Sequence, residues 1–93
     1  MTLKFEWDSE KALRNLKKHG ISFHEAATIF GDPLADTFHD PDHSTEETRF
    51  ITIGVSGRNK VLIVSHTDRL GRVRIISARH ATRHERRFYE EEK

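Results

Sequence analysis

Arginine is concentrated in the last third of the chain in a pattern that could do chemistry. Between Arg69 and Arg87 there are seven arginines, no lysine and a single acid, Glu85. A guanidinium group is planar and offers several N–H donors, so it can bind the oxygens of a phosphate or a carboxylate in pairs. The run therefore indicates a binding site for a polyanion. The alternative is a solvated charged surface whose arginines pair with acids elsewhere in the fold.

The formal net charge of +1 hides an uneven distribution of charge. Residues 31–48 hold six acids and no lysine or arginine, whereas residues 49–87 hold ten lysines and arginines against two acids. An asymmetry of this size favours a polyanionic partner for the second half of the chain. RNA, DNA and an acidic protein would each satisfy it.

The hydropathy pattern predicts the elements that hold these arginines. Residues 72–75 alternate polar and apolar side chains, which is typical of a strand. Thr82 and Glu85 form a capping box, which predicts a last helix from about Arg83 to Glu91. The earlier segments are a strand, a two-helix hairpin and up to three further strands, in this order: 3–7, 9–19, 23–30, 34–39, 49–55 and 61–67.

Single residues mark where the first two helices begin and end. Asp8 is a suitable N-cap for the first helix, and Gly20 suits the left-handed position that ends it. Ser22 and Glu25 form a second capping box. These signals place two short helices on either side of a tight turn.

The order of elements predicts an α+β domain. It has a short N-terminal strand, a two-helix hairpin, an antiparallel three- to four-stranded sheet and a C-terminal helix. Val61 to Val64 are apolar without alternation, so this segment is predicted as the central strand, covered on both faces. A chain of 93 residues makes one domain, residues 1–93.

Composition also argues against several classes of function. The chain has no cysteine, so it has neither a disulfide nor a thiolate site, which fits a reducing cytoplasm. We expect no signal peptide and no membrane-spanning segment. His39 and His43 flank two acids, but no second ligand set occurs at a fixed spacing, so we expect no metal. No phosphate-loop pattern supports a nucleotide, and we expect no cofactor.

Several short motifs, in order along nearly the whole chain, resemble the BrnT family of bacterial type II toxins. The longest is the segment from Arg74 to Tyr89, which reads Arg-Ile-Ile-Ser-Ala-Arg-x-Ala-Thr-x-x-Glu-Arg-x-x-Tyr. The shorter ones are Phe5-x-Trp7-Asp8, Lys18-His19-Gly20 followed by Ser22-Phe23, Phe30-x-Asp32-Pro33, Asp40-Pro41-Asp42-His43 and Glu47-x-Arg49.

The resemblance implies a fold similar to that of the RelE and ParE toxins and a ribonuclease that blocks translation. It also implies a cognate antitoxin similar to BrnA, with a ribbon-helix-helix region that binds DNA. In such systems the toxin–antitoxin complex binds its own operator DNA as an autorepressor, and the resemblance leaves open a toxin dimer within that complex.

A metal-independent ribonuclease needs cations for the phosphorane oxygens, a base for the 2′-OH and an acid for the leaving oxygen. Arg79, at a strand end, is the first candidate to hold the phosphate, and its ordinary structural explanation is an ion pair with Glu85. Arg74 and Arg49, which we expect on neighbouring strands, could share one basic face, or they could simply be solvated. Further phosphate contacts are expected from Arg58, Arg69, Arg72 and Arg83.

The proton-transfer groups are less well defined by the sequence. His66 ends the central strand and titrates near neutral pH, although a hydrogen-bonded structural histidine explains it as well. Glu85 lies near the arginines, which should lower its pKa and make it a poor acid but a candidate base. Two other functions stay open: a non-catalytic basic module that binds nucleic acid or protein, and a toxin that acts on a protein such as gyrase.

Overall fold

The computed structural model describes residues 2–43 and 47–91. It contains five strands and three helices in these residues, with short 3₁₀ turns at Ile29–Gly31 and Pro41–His43. In chain order the elements are β1 (Phe5–Glu6), α1 (Ser9–His19), α2 (Phe23–Thr28), β2 (Asp36–His39), β3 (Arg49–Val55), β4 (Val61–Arg69), β5 (Arg72–His80) and α3 (Arg83–Glu91).

The first two helices begin and end at the residues that the sequence indicates. The Asp8 side chain accepts a hydrogen bond from the Glu10 backbone N–H, and Gly20 closes α1 in the left-handed region at φ 71°. Ser22 accepts from the Glu25 backbone N–H and so caps α2, while the Glu25 carboxylate accepts a hydrogen bond from the Ser56 hydroxyl. Both predicted helix starts are confirmed. Of the predicted Ser22–Glu25 capping box, the described hydrogen bonds include only the half made by the Ser22 side chain.

The sheet has five strands in the order β1-β5-β4-β3-β2. Its neighbours are antiparallel except β1, which pairs in parallel with β5 through Phe5 with Val73 and Glu6 with Arg74. The prediction of an antiparallel sheet with three to four strands is therefore wrong in two respects. The sheet has five strands, and β1 pairs with β5 in parallel. A strand of two residues is too short for its hydropathy pattern to predict which strand it pairs with, and its partner β5 lies near the other end of the chain. The prediction that β4 is the central strand is confirmed.

Helices cover the two faces of the sheet unequally. On one face α1 and α2 pack over β4 and β5, and the core there includes Phe23, Ile29, Leu62 and Ile75. On the other face α3 covers a smaller cluster that includes Ile63 and Tyr89. Because α3 crosses only one end of this second face, the other end stays open. We call the uncovered part the open face.

The buried side chain by which the C-terminal helix α3 packs on the sheet is Tyr89. Tyr89 is buried and its hydroxyl donates to Asp32, whose carboxylate also accepts from the Val55 backbone N–H. Burial, with the hydrogen bond to Asp32, raises the pKa of Tyr89 to about 12. Its neighbour Phe88 remains 41% exposed. No helix among the described residues is long and apolar enough to cross a membrane.

Candidate active site

A row of polar residues crosses four strands on the open face. In the register of the sheet, Arg49 pairs with Thr67, Thr67 pairs with Arg74, and Arg74 pairs with Glu6. Arg49 and Arg74 therefore do not lie on neighbouring strands, as the sequence suggested, but on either side of β4. Adjacent strands are about 4.8 Å apart, so the Cα atoms of the two arginines are about 10 Å apart. Both arginine side chains are 30% exposed.

The next row toward α3 carries small hydroxyl side chains. Ser65 pairs with Ser77, and a β-bulge at this step makes Ile76 an extra residue on β5. One row further, Ile63 pairs with Arg79. Because alternate residues of a strand share a face, Arg74, Ser77 and Arg79 follow one another along β5 on the open face. We call the pair Ser65 and Ser77 the serine row; along β5, Arg74 lies on one side of it and Arg79 on the other.

Arg79 forms a two-pronged ion pair with Glu85. Its Nη1 lies 2.8 Å from Oε1 and its Nη2 lies 3.0 Å from Oε2. Glu85 also accepts from the Thr82 backbone N–H at 2.8 Å, and the Glu85 backbone N–H donates to Thr82 Oγ1 at 3.1 Å. The predicted capping box of α3 is confirmed, and the ion pair expected as the ordinary explanation of Arg79 is present.

The hydrogen bonds from Arg79 lower the pKa of Glu85 to about 2, from 4.5. Glu85 is therefore ionised at neutral pH and is a weak proton acceptor. Its carboxylate fixes the plane of the Arg79 guanidinium, while the Arg79 side chain remains 42% exposed. This arrangement favours Glu85 as an orienting group for Arg79.

Glu85 should also make the stability of the domain depend on acid pH. Its folded pKa of about 2 lies below the ordinary value of 4.5, so its contribution is complete above pH 4.5 and is lost as the pH falls toward 2. We expect Glu85→Gln to lose this contribution, so that the difference in unfolding free energy from the parent shrinks across that window. Urea unfolding at a series of pH values measures it. Glu91→Gln, at an exposed carboxylate of the same helix, is the control. A difference that stays constant with pH contradicts the assignment.

A second arginine is held by a carboxylate on the other side of the serine row. Arg74 Nη1 donates to Glu6 Oε2 at 2.9 Å, across the parallel pairing of β1 and β5. Arg49 lies near Glu47, with 3.6 Å between Nε and Oε1. Glu6, Thr67 and the serine row were not predicted from the sequence. For the serine row, the available signal was the interruption of two apolar strands by Ser65 and Ser77.

Comparison with known proteins connects this geometry to a family. A sequence model of the family described as "Ribonuclease toxin, BrnT, of type II toxin-antitoxin system" matches residues 7–85. The chain belongs to the BrnT family. Among solved structures, the BrnT ribonuclease toxin of Brucella abortus is similar, with a TM-score of 0.69 and 24% sequence identity over 88% of this chain and 100% of that one. That likeness shows a shared fold. No curated protein matches the chain.

The BrnT match covers most of the site described above. It includes Arg49, Arg74 and Arg79 and ends at Glu85, so both members of the Arg79–Glu85 pair lie inside it. It begins after Glu6, the partner of Arg74. Membership of a type II toxin–antitoxin family implies a cognate antitoxin as a partner of this chain.

The remaining candidate for proton transfer, His66, lies on the other face of the sheet. It is 4% exposed, its Nε2 is 2.7 Å from Thr52 Oγ1, and its ring contacts Phe30 and Phe50. Burial lowers its pKa, so the neutral form is favoured. In this BrnT-family chain the sheet itself therefore separates His66 from the arginines. The structure gives His66 the hydrogen-bonded place that was its alternative explanation.

The four further arginines are divided between the two ends of the sheet. Arg69 and Arg72 pair with each other at the β4–β5 turn, one row beyond Arg74, and both are exposed. Arg58 is exposed in the β3–β4 turn, at the opposite end of β3 from Arg49. Arg83 is exposed at the start of α3. The structure therefore brings Arg69 and Arg72 to the open face and places Arg58 away from it.

Metal ligation has no cluster to support it in residues 2–43 and 47–91. No group of three or more histidine, aspartate or glutamate side chains there could hold an ion. The side chain of His43, part of the His39 to His43 motif, lies outside the described residues. The site on the open face consists of cations, carboxylates and hydroxyls.

Proposed function

We propose that this chain is an endoribonuclease that cleaves RNA by metal-independent transesterification and thereby blocks translation. One observation carries the proposal. Two arginines, each held by a carboxylate, lie on either side of the serine row along β5, on the sheet face that α3 leaves partly uncovered. Membership of a family of ribonuclease toxins supports the same reaction class.

The proposed reaction takes place on a phosphate bound over the serine row. The 2′-OH attacks the adjacent phosphorus and the bond from phosphorus to the 5′-oxygen breaks. The proton of the 2′-OH passes through solvent to the leaving 5′-oxygen, so the products are a 2′,3′-cyclic phosphate and a 5′-OH. Negative charge grows on the two non-bridging oxygens, where Arg74 and Arg79 donate hydrogen bonds. Because Glu6 and Glu85 already orient these guanidinium groups, little reorganisation is needed in the transition state. Arg49, Arg69 and Arg72 add positive potential on the same face.

The partners that we propose follow from the description of the family as toxins of type II toxin–antitoxin systems. A BrnA-like antitoxin with a ribbon-helix-helix region covers the arginines of the open face and so excludes RNA. The complex binds its own operator DNA through the antitoxin and represses it, and two toxin chains join within that complex. The exposed arginines of this face are consistent with such a partner.

Removal of metal ions is the direct test of the proposed mechanism. We expect the purified chain to cleave RNA as fast in EDTA as in Mg²⁺, because the charge on the phosphorane is met by guanidinium groups. The measurement is the cleavage rate in both buffers, together with the chemical identity of the new 3′ ends. Activity that disappears in EDTA and returns with a divalent ion contradicts the mechanism. Growth arrest on expression without any RNA cleavage would instead indicate a protein target.

A further inference from the structure

Next to the serine row, no strand of the described residues pairs with the outer edge of β5. β1 pairs with β5 only at Val73 and Arg74. Beyond them α1 lies along the edge, and the Asn15 side chain bonds to both the N–H and the C=O of Ala78, at 3.1 and 2.8 Å. α1 thus runs beside the bulge of β5. Ile76 and Ser77 lie between Arg74, which pairs with β1, and Ala78, which is bonded to Asn15.

A groove of about 370 Å³ separates α1 from this bulge. Its walls are formed on the helix side by Lys11, Arg14, Lys18 and His19, and on the strand side by Ile76 and Ser77. Positions 11, 14 and 18 are spaced by three and four residues, so their side chains share one face of the helix. Three permanent cations therefore line one side of a concave surface.

Acidic side chains do little to neutralise this groove. The described residues that line it include no aspartate or glutamate. Glu10 approaches Arg14 to 3.8 Å from outside, but the two side chains are 83% and 69% exposed, so solvent and salt screen the pair. The groove keeps a positive potential that a chain of phosphates would neutralise.

The groove and the proposed cleavage site share Ser77. Ser77 belongs both to the groove and to the serine row, where it pairs with Ser65 between Arg74 and Arg79. An extended anion bound over the serine row can therefore leave the open face across the bulge of β5 and enter the groove. No other strand covers this part of the β5 edge in the described residues.

We propose that the groove between α1 and the β5 bulge is a second phosphate-binding subsite, which holds the single-stranded RNA backbone next to the scissile phosphate. The proposal rests on the ribonuclease function proposed above. Contacts to phosphates carry no sequence information, so this subsite gives a preference for RNA length rather than for sequence. It is separate from the arginines that act on the scissile phosphate.

A pair of matched double variants tests the subsite. Lys11→Gln with Lys18→Gln removes two groove cations, whereas Lys4→Gln with Lys17→Gln removes two exposed cations that do not line it. Binding is measured on a long, uncleavable 2′-O-methyl RNA as a function of salt. We expect the groove variant to lose on the order of tenfold in affinity. The slope of log affinity against log salt should become less negative by about 1.4, and both quantities should change little in the control.

Cleavage of a long RNA and of a dinucleotide separates the subsite from the active site. We expect the groove variant to raise KM for the long RNA while kcat and dinucleotide cleavage stay at the parent level. Equal losses in the two double variants, or an equal loss on the dinucleotide, would overturn the proposal. If the parent binds uncleavable RNA through the groove but cleaves nothing, the ribonuclease proposal fails and the subsite stands.

Discussion

Arg79→Ala should lower the rate of RNA cleavage by about 10²–10³-fold, the usual cost of removing one preorganised donor from a developing oxyanion. Arg79 reaches the open face from β5, and Glu85 holds its guanidinium with hydrogen bonds of 2.8 and 3.0 Å. Arg79→Lys should recover little of the loss, because an ammonium keeps the charge but cannot make the same paired contacts. Single-turnover cleavage of a defined RNA measures all three proteins.

A comparison of Arg79→Ala with Glu85→Gln decides whether Arg79 contacts the phosphate or only stabilises α3 through the ion pair. If its role is catalytic, Arg79→Ala loses far more activity than Glu85→Gln, although both break the same ion pair. If its role is structural, the two variants lose equal activity and equal stability. Arg87→Ala is the matched control, because Arg87 is an exposed arginine of α3 whose described ion pair, with Glu91, lies within that helix. Parent-level cleavage by a folded Arg79→Ala protein would remove Arg79 from the site.

Asn15→Ala should destabilise the domain by about 3 kcal/mol, since it leaves buried backbone groups without partners. The Asn15 amide accepts from the Ala78 N–H and donates to the carbonyl oxygens of Ala78 and Ile21, at 3.1, 2.8 and 3.0 Å. Asn15 is itself buried in the middle of α1. Its three bonds join α1, the turn that follows it and the edge of β5, directly before Arg79.

Asn15→Asp refines this prediction, because it keeps the shape of the side chain. Aspartate can still accept from the Ala78 N–H, but its second oxygen would face two carbonyl oxygens that need a donor. We expect a loss of stability at least as large as that of Asn15→Ala. Lys17→Ala, at an exposed position of the same helix, should stay within about 0.5 kcal/mol of the parent. Urea unfolding compares the three variants, and a near-neutral Asn15→Ala would refute the role of this side chain.

Contacts close in the chain were predictable, and the helix starts show why. Asp8, Ser22 and Thr82 each cap a backbone N–H two or three residues ahead, so the residue types alone determine the interaction. The Arg79–Glu85 pair is similar, because a strand end and a helix start joined by a short turn must bring these side chains together. The alternation of polar and apolar residues in β5 likewise predicted that Arg74 points away from the face on which its apolar neighbours Val73 and Ile75 lie.

Contacts distant in the chain were not predictable from the same patterns. Glu6 meets Arg74 across 68 positions, and Asn15 meets Ala78 across 63. Neither residue carries a local signal of its partner, because the pairing depends on which strand edge β1 and α1 reach after folding. His66 shows the same limit. The sequence predicted that His66 ends the central strand, whereas β4 continues to Arg69. Alternation alone also does not say which face of the strand the helices cover.

By itself the sequence determined the α+β class, the caps of the helices, the central position of β4 and the density of arginine after Arg69. These features depend on periodicity and on neighbours within a few residues, where the chain has little freedom. Only the tertiary structure decided that Arg74 and Arg79 lie on either side of the serine row, that β4 separates Arg49 from Arg74, and that His66 lies on the opposite face of the sheet. Those relations are set by strand register and by the bulge at Ile76, which arise when distant segments pair and pack.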